Sequence, residues 1–140
     1  MSNNSKIMKV HYSPKNNPRV IVIQKIYAKI YNRDDEIIFQ RHRFKKFIKD
    51  VVLGTLERDE VLNEEIKKSL EEINFKNMDK ILQTIIKSAV YELLYMPKIP
   101  KKIIIKEYLN ASNFFLDESK TKYLNALLDK ISREIRKINE

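Results

Sequence analysis

Cysteine and tryptophan are missing from this 140-residue chain, glycine occurs once and proline four times. Without cysteine there is neither a disulfide framework nor a thiolate metal site, which fits a reducing compartment. A single glycine cannot build a phosphate loop or a dinucleotide fingerprint, both of which need several. It also argues against a strand-and-turn protein, whose tight turns need residues that tolerate positive φ. No apolar run reaches the length needed to cross a bilayer, and residues 1–8 lack the apolar core of a signal peptide. The expectation is therefore a cytoplasmic chain with no membrane contact. What remains is 43% hydrophobic and 34% charged, a balance that suits one folded domain able to close a single core.

Acidic residues are also scarce, 19 against 28 Lys and Arg, for a formal net charge of +9. The excess is uneven. Residues 1–53 hold 12 basic against 4 acidic side chains, residues 54–79 hold 4 against 8, and residues 80–140 hold 12 against 7. Two basic flanks around an acidic middle suit a protein whose ends meet a polyanion while the middle faces elsewhere. A generic, solvated lysine surface is the other reading of the same numbers.

Residues 1–16 are polar and aperiodic and read as a flexible basic arm; residues 17–140 read as one helical domain. Asn17-Pro18 has the form of an N-cap followed by proline in the first helical turn. Val20, Ile23, Tyr27 and Ile30 follow at helical spacing, which predicts a helix over about 18–31. Phe44, Phe47, Ile48, Val51, Val52 and Leu56 predict a second helix, with Gly54 inside it or ending it. A more acidic helical stretch runs on to about residue 72. Ile81 to Leu94 is apolar nearly all round, the mark of a central helix. Pro97 and Pro100 stop it. Ile103-Ile104-Ile105 favours a strand on local propensity. Tyr123, Leu124, Leu127, Leu128, Ile131, Ile135 and Ile138 make the stripe of a last helix. The expected fold is all-α, a bundle of about six to seven helices.

Catalytic constellations are missing. His11 and His42 stand apart and in no metal-ligand spacing, and His42 beside Arg41 and Arg43 reads as a surface residue. The carboxylate pairs Asp34-Asp35, Glu64-Glu65 and Glu71-Glu72 lie in a polar turn or on an acidic face, without the contrasting environments that acid–base work needs. No enzyme, metal or cofactor is expected. Basic clusters are the better candidates. Arg41-His42-Arg43 with Lys45, Lys46 and Lys49 is the densest, and its plain reading is the solvated face of an amphipathic helix. Lys98, Lys101, Lys102 and Lys106 surround the start of a predicted helix, where backbone N–H groups and charge together suit a phosphate. Lys120, Lys122 and Tyr123 repeat that arrangement and add a ring able to stack on a base. Tyr123 also lies on the apolar stripe, so the sequence leaves core and surface both open.

Three blocks carry a resemblance: Ala89-Val90-Tyr91-Glu92-Leu93-Leu94, Ile99-Pro100-Lys101-Lys102-Ile103-Ile104-Ile105-Lys106-Glu107 and Tyr123-Leu124-Asn125-Ala126-Leu127-Leu128-Asp129-Lys130. In that order and spacing they resemble the carboxy-terminal half of the NusB family of transcription antitermination factors. Val22-Ile23-Gln24-Lys25-Ile26-Tyr27 is similar to that family's amino-terminal block, and Ile85 to Leu93, with Lys87 within it, to its central helix. The resemblance runs from about Arg19 to Arg136. It places Ile103 to Ile105 in a helix and implies two packed three-helix groups.

The same resemblance implies an adaptor that binds boxA-like single-stranded RNA together with the ribosomal protein NusE and serves the transcription elongation complex, especially in ribosomal RNA operons. Carried over by position, RNA would meet Lys15, Arg19, Gln24, Lys87, Lys101, Lys102, Lys120, Lys122 and Tyr123. Tyr27, Asp79 and Leu82 would meet the ribosomal protein. The family's opening run of arginines is reduced here to Lys15 and Arg19, with Lys6 and Lys9 further out. An acidic residue of the partner-binding helix is replaced by Leu82, and two family glycines by Leu116 and Ala126. These departures motivate an alternative: a helical protein–protein module, a possible homodimer or regulatory subunit, with only non-specific RNA binding.

Overall fold

Asn17 sets the first boundary: its side-chain Oδ1 accepts from the backbone N–H groups of Arg19 and Val20 at 3.0 and 3.2 Å, with Pro18 in the first turn. Helix α1 (Pro18–Tyr31) starts there in the computed structural model, which describes residues 14–137. It is followed by α2 (Lys45–Glu57), α3 (Asp59–Ser69), α4 (Lys80–Tyr95), α5 (Lys101–Ser112) and α6 (Glu118–Ile135). Single 3₁₀ turns occupy Pro14–Asn16 and Phe75–Asn77, and among the described residues there is no strand. Asp79 and Asp117 repeat the capping device at α4 and α6, accepting from the N–H groups of Ile81 and Lys120. The rest of the basic arm, residues 1–13, and Ile138 lie outside the described residues.

The first three and last three helices form two groups, and α4 joins them by contacting α1, α2, α3, α5 and α6. This is the central helix that the near-continuous apolar run predicts. Its Ile85, Ile86, Ala89 and Val90 are fully buried in the main core with Leu62, Ile66, Ile104, Leu124, Leu128 and Ile131. Helix α1 serves two clusters. Val20 and Ile23 enter the main core, whereas Val22 and Ile26 meet Ile48, Val51 and Val52 of α2 in a second, smaller cluster. Helix α1 runs antiparallel to α4, since Arg19 near its start meets Glu92 near the end of α4.

The only glycine lies inside α2. A Cβ on Gly54 would stand 2.3 Å from the Tyr91 ring of α4, so this helix pair can approach so closely only with glycine there. The Ile103-Ile104-Ile105 triplet is helical, against its local preference: Ile104 is fully buried in the main core and Ile105 packs against it, so tertiary burial overrides propensity.

Candidate nucleic-acid interface

Nine residues are expected to meet RNA, and they do not converge on one spot. Helix α4, 16 residues and so about 24 Å long, separates two ends of the molecule. Lys15 and Arg19 lie toward the end where α4 finishes, since α1 starts there. Lys101 and Lys102 open α5 just past that same terminus. Lys120, Lys122 and Tyr123 lie in the first turns of α6, at the opposite end, where Lys120 Nζ reaches Asp79 at 3.3 Å.

Arg19 is turned inward, not toward solvent. Its side chain lies almost wholly inside the molecule, with Nε 3.0 Å from Glu92 Oε2 and NH2 2.6 Å from Oε1. The Tyr108 hydroxyl donates to the same carboxylate, and the guanidinium stands 4.8 Å from the Phe47 ring centroid and 5.4 Å from that of Tyr108. Glu92 is fully buried. Burial holds its carboxyl above the usual carboxylate range against the pull of Arg19. Burial likewise pushes the Tyr108 hydroxyl well up, and the charge of Glu92 adds to it. Burial works most strongly against the Arg19 cation, but the charges of Glu92, Tyr108 and Glu107 and the Glu92 hydrogen bond together outweigh it, and the guanidinium pKa lies above its ordinary value. Arg19 therefore ties α1 to α4 and α5. Glu92, a carboxylate in an otherwise apolar helix, was the signal in the sequence for such a partner.

The end of α4 is closed by a second arginine. Arg136 donates from Nε to the Leu93 carbonyl at 3.1 Å and from NH2 to that of Met96 at 3.0 Å; its NH1 donates to Ile99. The Leu93 and Met96 carbonyls are ones that a helix terminus leaves without intrahelical donors, and Ile99 lies in the loop that follows. Beside them no side chain caps the start of α5. Lys102 is exposed there and Lys101 half-buried. Uncapped N–H groups next to lysine are the arrangement that suits a phosphate.

The opposite end differs from expectation. Asp117 sits on the first turn of α6 and accepts from Lys120 N–H at 2.9 Å and from the Ser119 hydroxyl at 3.0 Å. The hydrogen bond from the Lys120 backbone, with that of Ser119, holds its carboxyl below the usual range. A carboxylate thus occupies the α6 terminus, and Lys120 itself is paired with Asp79. Lys122 is exposed, and Tyr123 is 44% exposed, which resolves the open choice in favour of the surface. Tyr27, half-buried, packs edge-on against Tyr31 at 5.4 Å and lies within electrostatic reach of Asp79. Leu82 is buried in the main core, 4% exposed, so its side chain offers almost nothing to a partner. The helical period places it inward while Asp79, one turn earlier, stays out. Lys87, midway along α4, pairs with Asp59 at 2.7 Å.

Lys15 and Gln24 share a groove along the outer face of α1, together with Arg41, His42 and Lys45. His42 is half-buried and not a free surface residue. Phe44 N–H donates to its Nδ1 at 2.9 Å, which leaves Nε2–H to donate to the Lys15 carbonyl at 3.0 Å. Among the described residues no group of three or more His, Asp or Glu is placed to hold a metal ion, and no helix is long and apolar enough to cross a membrane.

A family model described as the NusB family matches residues 10–133. The transcription antitermination protein NusB of Lysinibacillus sphaericus is 34% identical over 88 residues, which cover 63% of this chain and 69% of that protein. The protein of the same name from Oceanobacillus iheyensis is 28% identical over 96 residues, or 69% of this chain and 76% of that one. A solved structure of T. maritima NusB matches with a TM-score of 0.73 at 21% identity, over 89% of this chain and 94% of that chain, so the fold is shared.

Proposed function

The chain belongs to the NusB family, and we propose that it is a transcription antitermination factor that binds boxA-type RNA together with the ribosomal protein NusE. In this reading it acts in the cytoplasm on the elongation complex and supports read-through by RNA polymerase, notably in ribosomal RNA operons. It is an adaptor and performs no chemistry. The observation that carries the reading is the family match across residues 10–133.

The geometry supports a division of labour. Lys102, with Lys101 beside it, at the uncapped start of α5 and Lys15 at the start of α1 supply salt-sensitive affinity for the phosphate backbone. Tyr123 offers an exposed ring on which a base can stack, with Lys122 beside it. Tyr27 and Asp79 supply the surface for the ribosomal protein, with Leu82 as support beneath. Arg19 positions α1 from within.

The test is charge reversal. Lys101→Glu with Lys102→Glu weakens boxA binding more than Lys67→Glu with Lys68→Glu on α3, measured by fluorescence anisotropy. Equal losses would show that the RNA surface is misplaced. The loss of the family's acidic residue at the buried Leu82, with the reduced arginine run, motivates a second reading, a protein–protein module with only non-specific RNA binding. A stable dimer in equilibrium sedimentation, with no preference for boxA over a scrambled sequence, would select it.

A further inference from the structure

The densest basic cluster of the sequence, Arg41 to Lys45, has no part in the function proposed so far. Lys45, with Lys46 and Lys49 after it, does lie exposed on α2, whereas Arg41, His42 and Arg43 come before that helix. Residues 39–42, which precede α2, form with Lys45 and Ile48 of α2 one wall of a groove of about 670 Å³ whose other wall is α1. Four cations line it: Lys15, Lys25, Arg41 and Lys45. Arg43 lines an adjoining hollow of about 580 Å³ that shares Asn16, Arg41 and His42 with the groove. No Asp or Glu lines either space, and among the described residues none of these five cations is held in an ion pair. Acidic residues enter only at the far end, where Asp35 and Glu36 line the next hollow beyond Lys25 and Ala28.

We propose that this groove binds a stretch of single-stranded RNA, so that the strand follows the outer face of α1 between Lys15 and Lys45. The inference rests on the RNA-binding reading above and adds a surface to it. Two features of the lining suit RNA among polyanions. The lining includes the side-chain amides of Asn16, Gln24 and Gln40, which offer both donors and acceptors to base edges. Ile21, Ala28, Phe39 and Ile48 add an apolar part to the lining, against which a base can pack between the cations. The His42 hydrogen bond to the Lys15 carbonyl ties the segment before α2 to the turn before α1, and the Phe44 N–H fixes the ring that makes it.

The experiment compares the full chain with the variant Arg41→Gln, Arg43→Gln, Lys45→Gln in anisotropy titrations over a range of salt, using a boxA RNA extended by a uridine tract. Arg41, Arg43 and Lys45 are exposed, and unchanged circular dichroism of the variant checks the fold. Affinity is expected to fall about tenfold at near-physiological salt, and the slope of log K against log salt to shrink by about 2, each lost single-strand phosphate contact contributing roughly 0.7. Hydrogen–deuterium exchange on the unaltered chain is expected to show protection of amides 39–45 when RNA is added. Unchanged affinity and slope, or no such protection, would overturn the groove. The proposed function would survive that result if Lys101→Glu with Lys102→Glu still lost binding in the same assay. Failure of the unaltered chain to bind any RNA would overturn both. Protection of the same amides by polyglutamate and not by RNA would assign the groove to an acidic protein segment, and the RNA proposal would fall.

Discussion

Arg19 shows how one residue's role depends on its neighbours. An arginine near a helix start in a chain of charge +9 reads as a ligand for phosphate, yet the fully buried Glu92 claims it. A buried charge without a partner is far costlier than a buried pair or a buried neutral group. Arg19→Met is therefore expected to lower unfolding free energy by about 3–5 kcal/mol, because Glu92 is stranded. Adding Glu92→Gln to that variant recovers part of the loss, since the amide carries no charge and can still meet the Tyr108 hydroxyl. Urea denaturation midpoints check this, and equal stability of the single and double variants would contradict it. Asp117 gives a pH signature. Its carboxyl titrates lower in the folded chain than in the unfolded one, so its contribution to stability is present above the unfolded pKa and lost as pH falls through the folded value. Melting temperature is expected to fall more steeply toward acid in the natural chain than in Asp117→Asn, which keeps an acceptor but not the charge.

At the scale of the element, much of the fold could be read in the sequence. Asn17-Pro18 marks the start of α1, the all-round apolar run marks α4 as central, and the stripe from Leu124 to Ile135 marks α6, because each is a local pattern. Ile103 to Ile105 shows where local pattern ends: their helix follows from burial of Ile104, which no short window contains. Gly54 is the other limit. Its place inside a helix costs propensity, and the reason is the Tyr91 ring against it, 37 residues away in sequence. Gly54→Ala is expected to destabilise by about 1–3 kcal/mol, the usual range for overpacking a close contact. Tyr91→Leu in that background should return part of the loss, whereas Tyr91→Phe should not, since ring carbons as well as the hydroxyl lie in the way. Thermal denaturation of the natural chain, Gly54→Ala, Tyr91→Leu and the double variant forms the cycle. Additive effects would mean that the two helices are not locked at this point.

For the whole molecule, net charge points to a polyanion partner but not to where the charge is free to act. Lys120 and Lys87 lie in positions expected to meet RNA, and each is held by an aspartate from another element, Asp79 and Asp59. Such pairs cannot be seen in a linear sequence. The reverse holds for three exposed cations that read as no more than a solvated face: Arg41 and Lys45 line a groove opposite α1, and Arg43 lines the hollow beside it. The central claim is that the basic surfaces recognise a particular RNA with a particular partner rather than negative charge at large. A fluorescence anisotropy titration tests it directly, with boxA RNA and a scrambled control of equal length, at near-physiological salt, in the presence and absence of the organism's own NusE. The account predicts tighter binding to boxA and a preference that sharpens when NusE is added. Equal, strongly salt-dependent binding to both RNAs, unmoved by NusE, would contradict it.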